Sequence, residues 1–283
     1  MQNRLMEAIH SAHRGERRPL VMGIVNVTPD SFSDGGRFDR PGAALVHALQ
    51  LVEEGAEILD VGGESTRPGA EPVSVDEELE RVIPVIEQLR AETDVPISID
   101  TVKPEVMREA VTAGVGMIND VLGLRAEGAL ATASALHVPV CLMHMQGEPR
   151  TMQKDPRYAD VVEDIRVFFQ ERLQACRDAG LDDSLVVLDP GFGFGKTLEH
   201  NLELLARLDR LRDLGHPLLA GISRKSMLGT ITGKSDPARR VAASVAAAVL
   251  AAGRGAAIIR VHDVDETVDA LKVVAAMERG SAF

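Results

Sequence analysis

The sequence predicts a single α/β domain, a closed (β/α)8 barrel in which eight parallel strands alternate with helices. Eight short runs rich in Val, Ile and Leu alternate with helical segments along the chain. The 283 residues therefore divide into units of about 35 residues, the size of one strand with its helix. No composition break or Ser/Gly-rich linker divides the chain, and the alternative, an open doubly wound sheet, usually has only about five to seven strands.

The strand candidates are short, aliphatic and bounded by Gly, Pro or polar residues, as expected of buried parallel strands. In chain order they span residues 19–26, 57–62, 96–100, 116–120, 139–144, 185–189, 217–223 and 257–261. We predict that the barrel domain extends over residues 19–283 and that residues 1–18 form a helical N-terminal extension.

Helix boundaries are marked by Pro near the start and Gly after the end. This pattern predicts helices that open at Pro41-Gly42, Lys103-Pro104 and Asp236-Pro237 and stop at Gly55, Gly114 and Gly253, and a helix over residues 160–179 that stops at Gly180. In a further helix, over residues 76–91, Pro84 lies in the interior and predicts a kink.

Charge and composition exclude several classes of protein. The formal net charge of −12 argues against a nucleic-acid partner, because phosphate backbones are bound by clustered Lys and Arg. It leaves small anionic substrates open, since local bases decide the potential inside a cleft. Cys141 and Cys176 belong to no CxxC motif, which favours a reduced, cytoplasmic setting. We expect no signal peptide and no membrane span, because the N-terminus is charged throughout and no apolar stretch reaches about 18 residues.

Polar residues recur at the C-terminal ends of the predicted strands, followed by loops rich in Gly or Pro. They are Asn26, Asp60, Asp100, Asn119-Asp120, His144, Asp189, Ser223-Arg224-Lys225, Arg260 and His262. In a barrel these ends meet at one mouth, where the active sites of this fold lie. Any single Asp or Asn among them is equally well explained as a helix cap, and we assign Asp60 and Asp120 structural roles of that kind.

These strand-end residues divide by chemistry. Asp100, Asn119 and Asp189 can hydrogen-bond a flat heterocycle rich in N–H and C=O groups that lies across the barrel core. The bases are Arg67, Arg224, Lys225, Arg260 and His262. Two residues apart on the last strand, Arg260 and His262 face one side and suit a diphosphate, although an ion pair between Arg260 and a barrel carboxylate is the structural alternative.

Several other motifs do not support the chemistry that they suggest. GFGFGKT at residues 191–197 is one residue short of a phosphate-binding loop, because Pro190 stands where that motif needs Gly. No HxH, HExxH or GxSxG spacing is present, so we predict neither a catalytic zinc nor a nucleophilic serine.

At this level of detail the motifs identify a family. NVTPDSFSDGG (26–36), DVGGESTRPGA (60–70), ISIDT (97–101), MINDV (117–121), LMHMQGEPRTMQ (142–153), LDPGFGFGKTLEHN (188–201), ISRKSMLG (222–229) and RVHDV (260–264) resemble those of the dihydropteroate synthases. The resemblance extends from about residue 20 to residue 275 and covers every strand end in order.

The resemblance implies an enzyme that condenses a dihydropterin methyl diphosphate with 4-aminobenzoate. We therefore expect small-molecule substrates as its partners, and neither nucleic acid nor a membrane. It implies that Asp100, Asn119, Asp189 and Lys225 hold the pterin ring, and that Asn26 ligates a Mg²⁺ ion whose diphosphate is bound by Arg260 and His262. It further implies a 4-aminobenzoate pocket formed by Phe32, Thr66, Arg67, Pro68, Phe194 and Ser226. We expect Met143 to line the substrate pocket, with packing in the core as the alternative. The family also implies a homodimer.

For the mechanism we expect pyrophosphate to leave before the amine adds, because the sequence offers no protein nucleophile and a cluster of bases for the leaving group. We assign catalytic roles to Asp34, Arg67 and Lys225, with Asp34 against the developing positive charge; its alternative is a solvated turn residue. The long loops 27–40 and 62–75 are expected to order over the mouth. Phe32 and Pro68 predict inhibition by sulfonamides.

Two rival functions remain at this point. One is a related barrel that passes a methyl group from a folate to a corrinoid, which would share the heterocycle acceptors but not the first two loops or the bases of the last strand. The other is a paralogue that binds pterins without turnover. Release of pyrophosphate that depends on both substrates would separate all three.

Overall fold

The computed structural model describes residues 2–28, 40–65, 71–148 and 151–280. Eight parallel strands form a closed barrel in which each strand pairs with the next and the last pairs with the first. The strands are β1 Leu20–Asn26, β2 Ile58–Gly62, β3 Ile97–Asp100, β4 Met117–Asp120, β5 Val140–Met143, β6 Val186–Asp189, β7 Leu218–Ala220 and β8 Ala256–Val261. The predicted barrel is therefore confirmed, and the open sheet is excluded.

Helices flank the barrel in the order that the sequence predicts. They are α1 Gln2–His13, α2 Arg40–Glu53, α3 Val75–Glu92, α4 Pro104–Thr112, α5 Ala129–Leu136, α6 Val161–Asp178, α7 Leu198–Ala206, α8 Ser226–Thr232, α9 Val241–Ala252 and α10 Val264–Gly280. The α3 helix contains Pro84 within one continuous span, and a kink there stays a prediction.

Two elements have boundaries that differ from the prediction. The helix expected at Asp236-Pro237 begins as a 3-10 turn, Pro237–Arg240, in which the Asp236 carboxylate accepts from the N–H of Ala238 at 2.9 Å. β7 ends at Ala220 rather than at residue 223, and its pairing with β8 shifts between Leu218 and Leu219. Residues 221–223 therefore belong to the loop at the mouth.

The alternation of side chains along each strand builds two separate cores. Residues such as Leu59, Ile99 and Leu142 point outward and pack under the helices. Their neighbours on the other face, including Met22, Ile58 and Val187, fill the barrel interior. Every second side chain of a strand points to the same face. Toward the C-terminal end of several strands, the next inward-pointing residues are therefore the polar residues predicted at the mouth.

The α1 helix closes the N-terminal end of the barrel. Its Leu5, Met6 and Ile9 are buried in the same cluster as Met22 and Ile58 of the interior. The apolar interior is thus sealed at one end and polar at the other, which leaves the C-terminal mouth as the place for a site.

The Ala-rich helix α9 packs on its own barrel. Ala247, Ala248 and Ala251 are buried against the strands, which explains the small side chains without a partner chain. In the part of the chain that the structure describes, no helix has both the length and the apolar character that crossing a membrane requires.

Candidate active site

The strand register brings the first polar residues to one level of the mouth. Asn26 pairs with Gly62, Gly62 with Asp100, and Asp100 with Asn119 across four neighbouring strands. At Gly62 a Cβ would lie 3.4 Å from the Cβ of Asp100, so the absence of a side chain there leaves room in the mouth beside this carboxylate. The three side chains predicted on β1, β3 and β4 are therefore neighbours.

A buried network joins these residues to the last strand. The Arg260 Nε donates to Asp60 Oδ2 at 2.6 Å, and its Nη2 donates to Asp100 Oδ2 at 2.9 Å. The Asn119 Nδ2 donates to the same Asp60 oxygen at 3.0 Å. Asp60 lies fully buried below the mouth and orients both partners. The ion pair that we weighed as the alternative for Arg260 is present, and it engages two of the five guanidinium N–H groups.

Burial and these charges set the protonation of the network. Burial raises the pKa of Asp100 to about 7; the Arg260 guanidinium opposes this rise, and the Asp60 carboxylate adds to it. Burial disfavours the charged guanidinium, but Asp60 and Asp100 outweigh it and raise the pKa of Arg260. Arg260 is thus charged at neutral pH, whereas burial favours the protonated form of Asp100 more than in an exposed carboxyl.

The second half of the mouth is formed by β6 and the loop after β7. Asp189 ends β6 and accepts from the Gly191 N–H at 2.7 Å, and burial raises its pKa. Lys225 is the N-cap of α8, and its Nζ lies 4.1 Å from the centre of the Phe194 ring. Burial lowers the pKa of Lys225 to about 8, and Arg260 lowers it further while Asp189 and Asp100 oppose. The ammonium form therefore dominates at neutral pH.

An apolar wall lies beside these charges. Met143, at the end of β5, is buried in a small cluster with Val121, Met145 and Met152, and Phe194 packs against this cluster. Flexible thioether side chains adapt their shape to a neighbouring ring. The predicted pocket residues Met143 and Phe194 therefore lie together.

The loop between β6 and α7 explains the Gly-rich motif. Gly191 has φ +70°, and a Cβ there would lie 2.0 Å from the carbonyl oxygen of His144. Gly195 has φ +60°, and its Cβ would lie 2.5 Å from the Gln146 carbonyl oxygen. The glycines allow this loop to pack backbone against backbone on the loop after β5. This packing accounts for the glycines of the motif.

One residue of this loop was missed by the sequence analysis. Lys196 is 3% exposed, and its Nζ contacts His144 Nδ1 at 3.1 Å, the Gly191 carbonyl at 2.9 Å and the Phe194 carbonyl at 3.0 Å. Burial lowers the pKa of Lys196 to about 7, an effect that Asp189 opposes. The only signal in the sequence was a lysine within the rejected phosphate-loop motif.

Other strand-end residues serve the local structure. Asp120 accepts from the N–H groups of Leu122 and Leu124, at 2.6 and 3.2 Å, which confirms a turn-capping role. Arg224 pairs with Asp263 behind the mouth instead of joining the other bases. Burial lowers the pKa of His144 to about 2, so this ring is neutral.

The two remaining predicted residues lie near the ends of β7 and β8. His262 follows β8 and its Nδ1 contacts Ser223 Oγ at 3.1 Å. Ser226 is the exposed first residue of α8, directly after Lys225.

The first two mouth loops are described only in part. Phe32, Asp34, Thr66, Arg67 and Pro68 lie outside the described residues. Below the second loop, Lys103 forms an ion pair with both Glu64 and the buried Glu78. This cluster fixes the point where the second loop leaves β2, and the sequence analysis did not find it.

The described residues fit a Mg²⁺ ion that is bound through few protein ligands. Among them, no group of three His, Cys, Asp or Glu side chains is arranged to hold a metal ion. The Asn26 side chain is half-buried at the end of β1. An amide oxygen is a suitable ligand for Mg²⁺, which is commonly held by one or two protein groups together with water and substrate phosphates.

The comparisons with known proteins agree with this geometry. The pattern of the family described as "Pterin binding enzyme" matches residues 22–262. The fold and the mouth thus define a pterin-binding barrel enzyme.

Individual relatives are more specific. The dihydropteroate synthase of Escherichia coli (strain K12) is 54% identical over 258 residues, which cover 91% of each chain. The solved dihydropteroate synthase of Xanthomonas albilineans with 4-aminobenzoic acid is 58% identical, with a TM-score of 0.88 over 92% of this chain and 93% of that one. A Yersinia pestis dihydropteroate synthase in a sulfonamide complex is 52% identical, with a TM-score of 0.89 over 93% and 95%. This chain belongs to the dihydropteroate synthase family of transferases.

Proposed function

We propose that the chain condenses (7,8-dihydropterin-6-yl)methyl diphosphate with 4-aminobenzoate to give 7,8-dihydropteroate and pyrophosphate. The observation that carries this proposal is the network of Asp60, Asp100, Asn119 and Arg260, which lies at one mouth with Asp189 and Lys225. Another structure of the Xanthomonas albilineans relative contains 7,8-dihydropteroate. The same activity therefore explains both the geometry and the family.

The buried polar groups are complementary to a pterin. The Asn119 Nδ2 donates to Asp60, and its Oδ1 is an acceptor suited to a ring N–H group. Asp100 and Asp189 accept from ring N–H groups, and the Lys225 ammonium donates to a ring oxygen or nitrogen. A charged donor in a site sheltered from water holds such a ring firmly and in one orientation.

The leaving group lies on the side of the last strands. Two guanidinium N–H groups of Arg260 contact carboxylates, and the other three remain for diphosphate oxygens. His262 adds a donor beyond the end of β8. Asn26 would hold Mg²⁺, which would supply positive charge to the diphosphate oxygens as they become more negative.

The chemical step needs no protein nucleophile. The C–O bond to the diphosphate breaks and its electron pair leaves with pyrophosphate, so that the pterin ring delocalises the positive charge on its methylene. The lone pair of the 4-aminobenzoate nitrogen then forms the C–N bond, and one amine proton is released to solvent. Asp34 is proposed to face the cation, Arg67 the benzoate, and both loops to exclude water.

The decisive experiment measures pyrophosphate release by the purified chain. We expect release only when both substrates are present, together with one equivalent of 7,8-dihydropteroate detected by mass spectrometry. Asp189→Leu should abolish release, because an apolar side chain cannot accept from the ring. Binding of the pterin diphosphate without turnover would contradict the proposal and indicate the non-catalytic paralogue, and methyl transfer to a corrinoid would indicate the other rival.

Assembly and location are further proposals. We propose that the chain forms a homodimer, supported by exposed apolar side chains on outer helices, such as Val273 of α10. We also propose that it is cytoplasmic, supported by two buried cysteines that form no disulfide. Light scattering at micromolar concentration would contradict the dimer if it gave only the mass of one chain, 30.4 kDa.

A further inference from the structure

We propose that Lys196 is a positioning residue for the amine substrate, because it fixes the Phe194 backbone at the mouth through its contacts with Gly191, Phe194 and His144. This inference rests on the proposed function, in which Phe194 lines the 4-aminobenzoate pocket. It gives a role to the lysine of the Gly-rich motif at residues 191–197.

The geometry of the Nζ atom carries the argument. It lies between the end of β5 and the loop after β6, and its three contacts of 2.9 to 3.1 Å account for all the partners that a lysine nitrogen can hold. The Phe194 carbonyl is one of these partners, and the ring of the same residue lies against the Lys225 ammonium. Displacement of this carbonyl would therefore move the aromatic ring.

The two carbonyl contacts are possible in both protonation states of the lysine. As an ammonium group, Lys196 donates to the two carbonyl oxygens and to His144 Nδ1. As an amine, it still has two N–H groups, one for each carbonyl oxygen. The contact with the Phe194 carbonyl therefore does not require the charged form.

The rest of the loop has other supports, so the effect of Lys196 is local. The Gly193 N–H donates to Asn201 Oδ1 at 2.7 Å, and its carbonyl accepts from Gln153 Nε2 at 2.6 Å. The Gly195 carbonyl accepts from the Tyr158 hydroxyl at 2.7 Å. The Phe194 N–H donates to the Gly191 carbonyl at 3.1 Å, so removal of the Lys196 amine should loosen the Phe194 carbonyl and leave the remainder of the loop in place.

A double-mutant cycle tests this inference through steady-state kinetics of pyrophosphate release. In Lys196→Met we expect the KM for 4-aminobenzoate to rise on the order of tenfold to a hundredfold, as for a displacement of about 1 Å. The KM for the pterin diphosphate should change less than about threefold. In a Phe194→Leu background, Lys196→Met should change the KM for 4-aminobenzoate less than about threefold, because the ring that it positions is gone.

The control and the contrary outcomes are separate measurements. Lys272→Met removes an exposed lysine that pairs with Asp269 on α10, and it should leave both KM values unchanged. Equal rises in both KM values, or independent effects of Lys196→Met and Phe194→Leu, would overturn the inference.

A second variant covers the case in which Lys196→Met does not fold. His144→Leu removes the contact that ties the Lys196 Nζ to the end of β5 and so loosens its hold on the Phe194 carbonyl; it should raise the KM for 4-aminobenzoate selectively, but less than Lys196→Met does. An unchanged KM in this variant would also overturn the inference. Failure of the wild-type chain to release pyrophosphate would refute the proposed function itself, whereas an active wild type with unaffected variants would refute only the role of Lys196.

Discussion

The Arg260→Met variant tests the structural role of Arg260 separately from its role in binding when the free energy of unfolding is measured without substrates. The guanidinium contacts Asp60 and Asp100, whose side chains are 0% and 11% exposed. Its removal leaves two neighbouring carboxylates at the bottom of the mouth without their ion-pair partner. Loss of one partner from a buried ion pair costs roughly 3–5 kcal/mol, and we expect the Arg260→Met variant to lose that much at pH 8.

The loss should depend on pH with a defined sign. Burial raises the pKa of Asp100 from 3.8 to about 7, so the folded state prefers its protonated form. A raised carboxyl pKa makes stability fall as the pH rises from about 4 to 7. Without the guanidinium, which opposes the rise, the pKa of Asp100 increases further. The difference between wild type and variant is therefore largest above pH 7 and narrows as the solution is acidified.

Urea denaturation followed by far-ultraviolet circular dichroism at pH 6 and pH 8 measures both effects. In a thermal denaturation at pH 8, the expected loss of stability corresponds to a decrease in Tm on the order of 10 °C. The matched control is Arg166→Met, which removes an arginine of a surface pair with Glu163 and should cost less than about 1 kcal/mol. A loss below about 1 kcal/mol in Arg260→Met, equal at both pH values, would refute a structural role for the ion pair.

Four other changes test the fold and the site. Gly191→Ala should cost more than about 3 kcal/mol in thermal denaturation, because its Cβ would lie 2.0 Å from the His144 carbonyl oxygen at a positive φ. Gly215→Ala, with a positive φ and no atom within 4 Å, should cost only about 1 kcal/mol, and similar costs for the two would contradict the packing argument. Ile9→Ala should lower the free energy of unfolding by about 2–5 kcal/mol, because Ile9 is fully buried at the closed end of the barrel; a neutral result would show that α1 does not support the core. Asp34→Ala should reduce kcat on the order of a hundredfold if its charge faces the cation, and full turnover would remove its catalytic role. Sulfonamides should inhibit competitively with 4-aminobenzoate, and normal turnover at saturating sulfonamide would contradict that prediction.

Much of the fold could be read from local patterns. Strands, helix boundaries and the single domain follow from aliphatic periodicity and from Pro and Gly at the ends of helices, which depend only on neighbouring residues. The polar residue at the end of each strand then identifies the mouth, because parallel strands of a barrel all end on the same side. For this reason the strand-end pattern predicts Asp100, Asn119 and Asp189 as a set of acceptors, and the family resemblance adds Lys225.

The partners of these residues could not be read in the same way. Asp60 and Arg260 are 200 residues apart in sequence, and their ion pair depends on the closure of β8 onto β1 and β2. The sequence analysis therefore assigned Arg260 to the diphosphate and left its contact with a carboxylate as the alternative. The two roles of Arg260 are compatible, because two of its five N–H groups contact the carboxylates and three remain for the diphosphate.

The sequence by itself determined the alternation of strands and helices, the face of the barrel that carries polar residues, and the family. Only the tertiary structure decided that Lys196 joins two loops, that Arg224 turns away to Asp263, and that burial raises the pKa of Asp100. The physical reason is that a pattern of residue types fixes local conformation and the direction of side chains, whereas hydrogen-bond partners and desolvation depend on groups that only chain closure brings together.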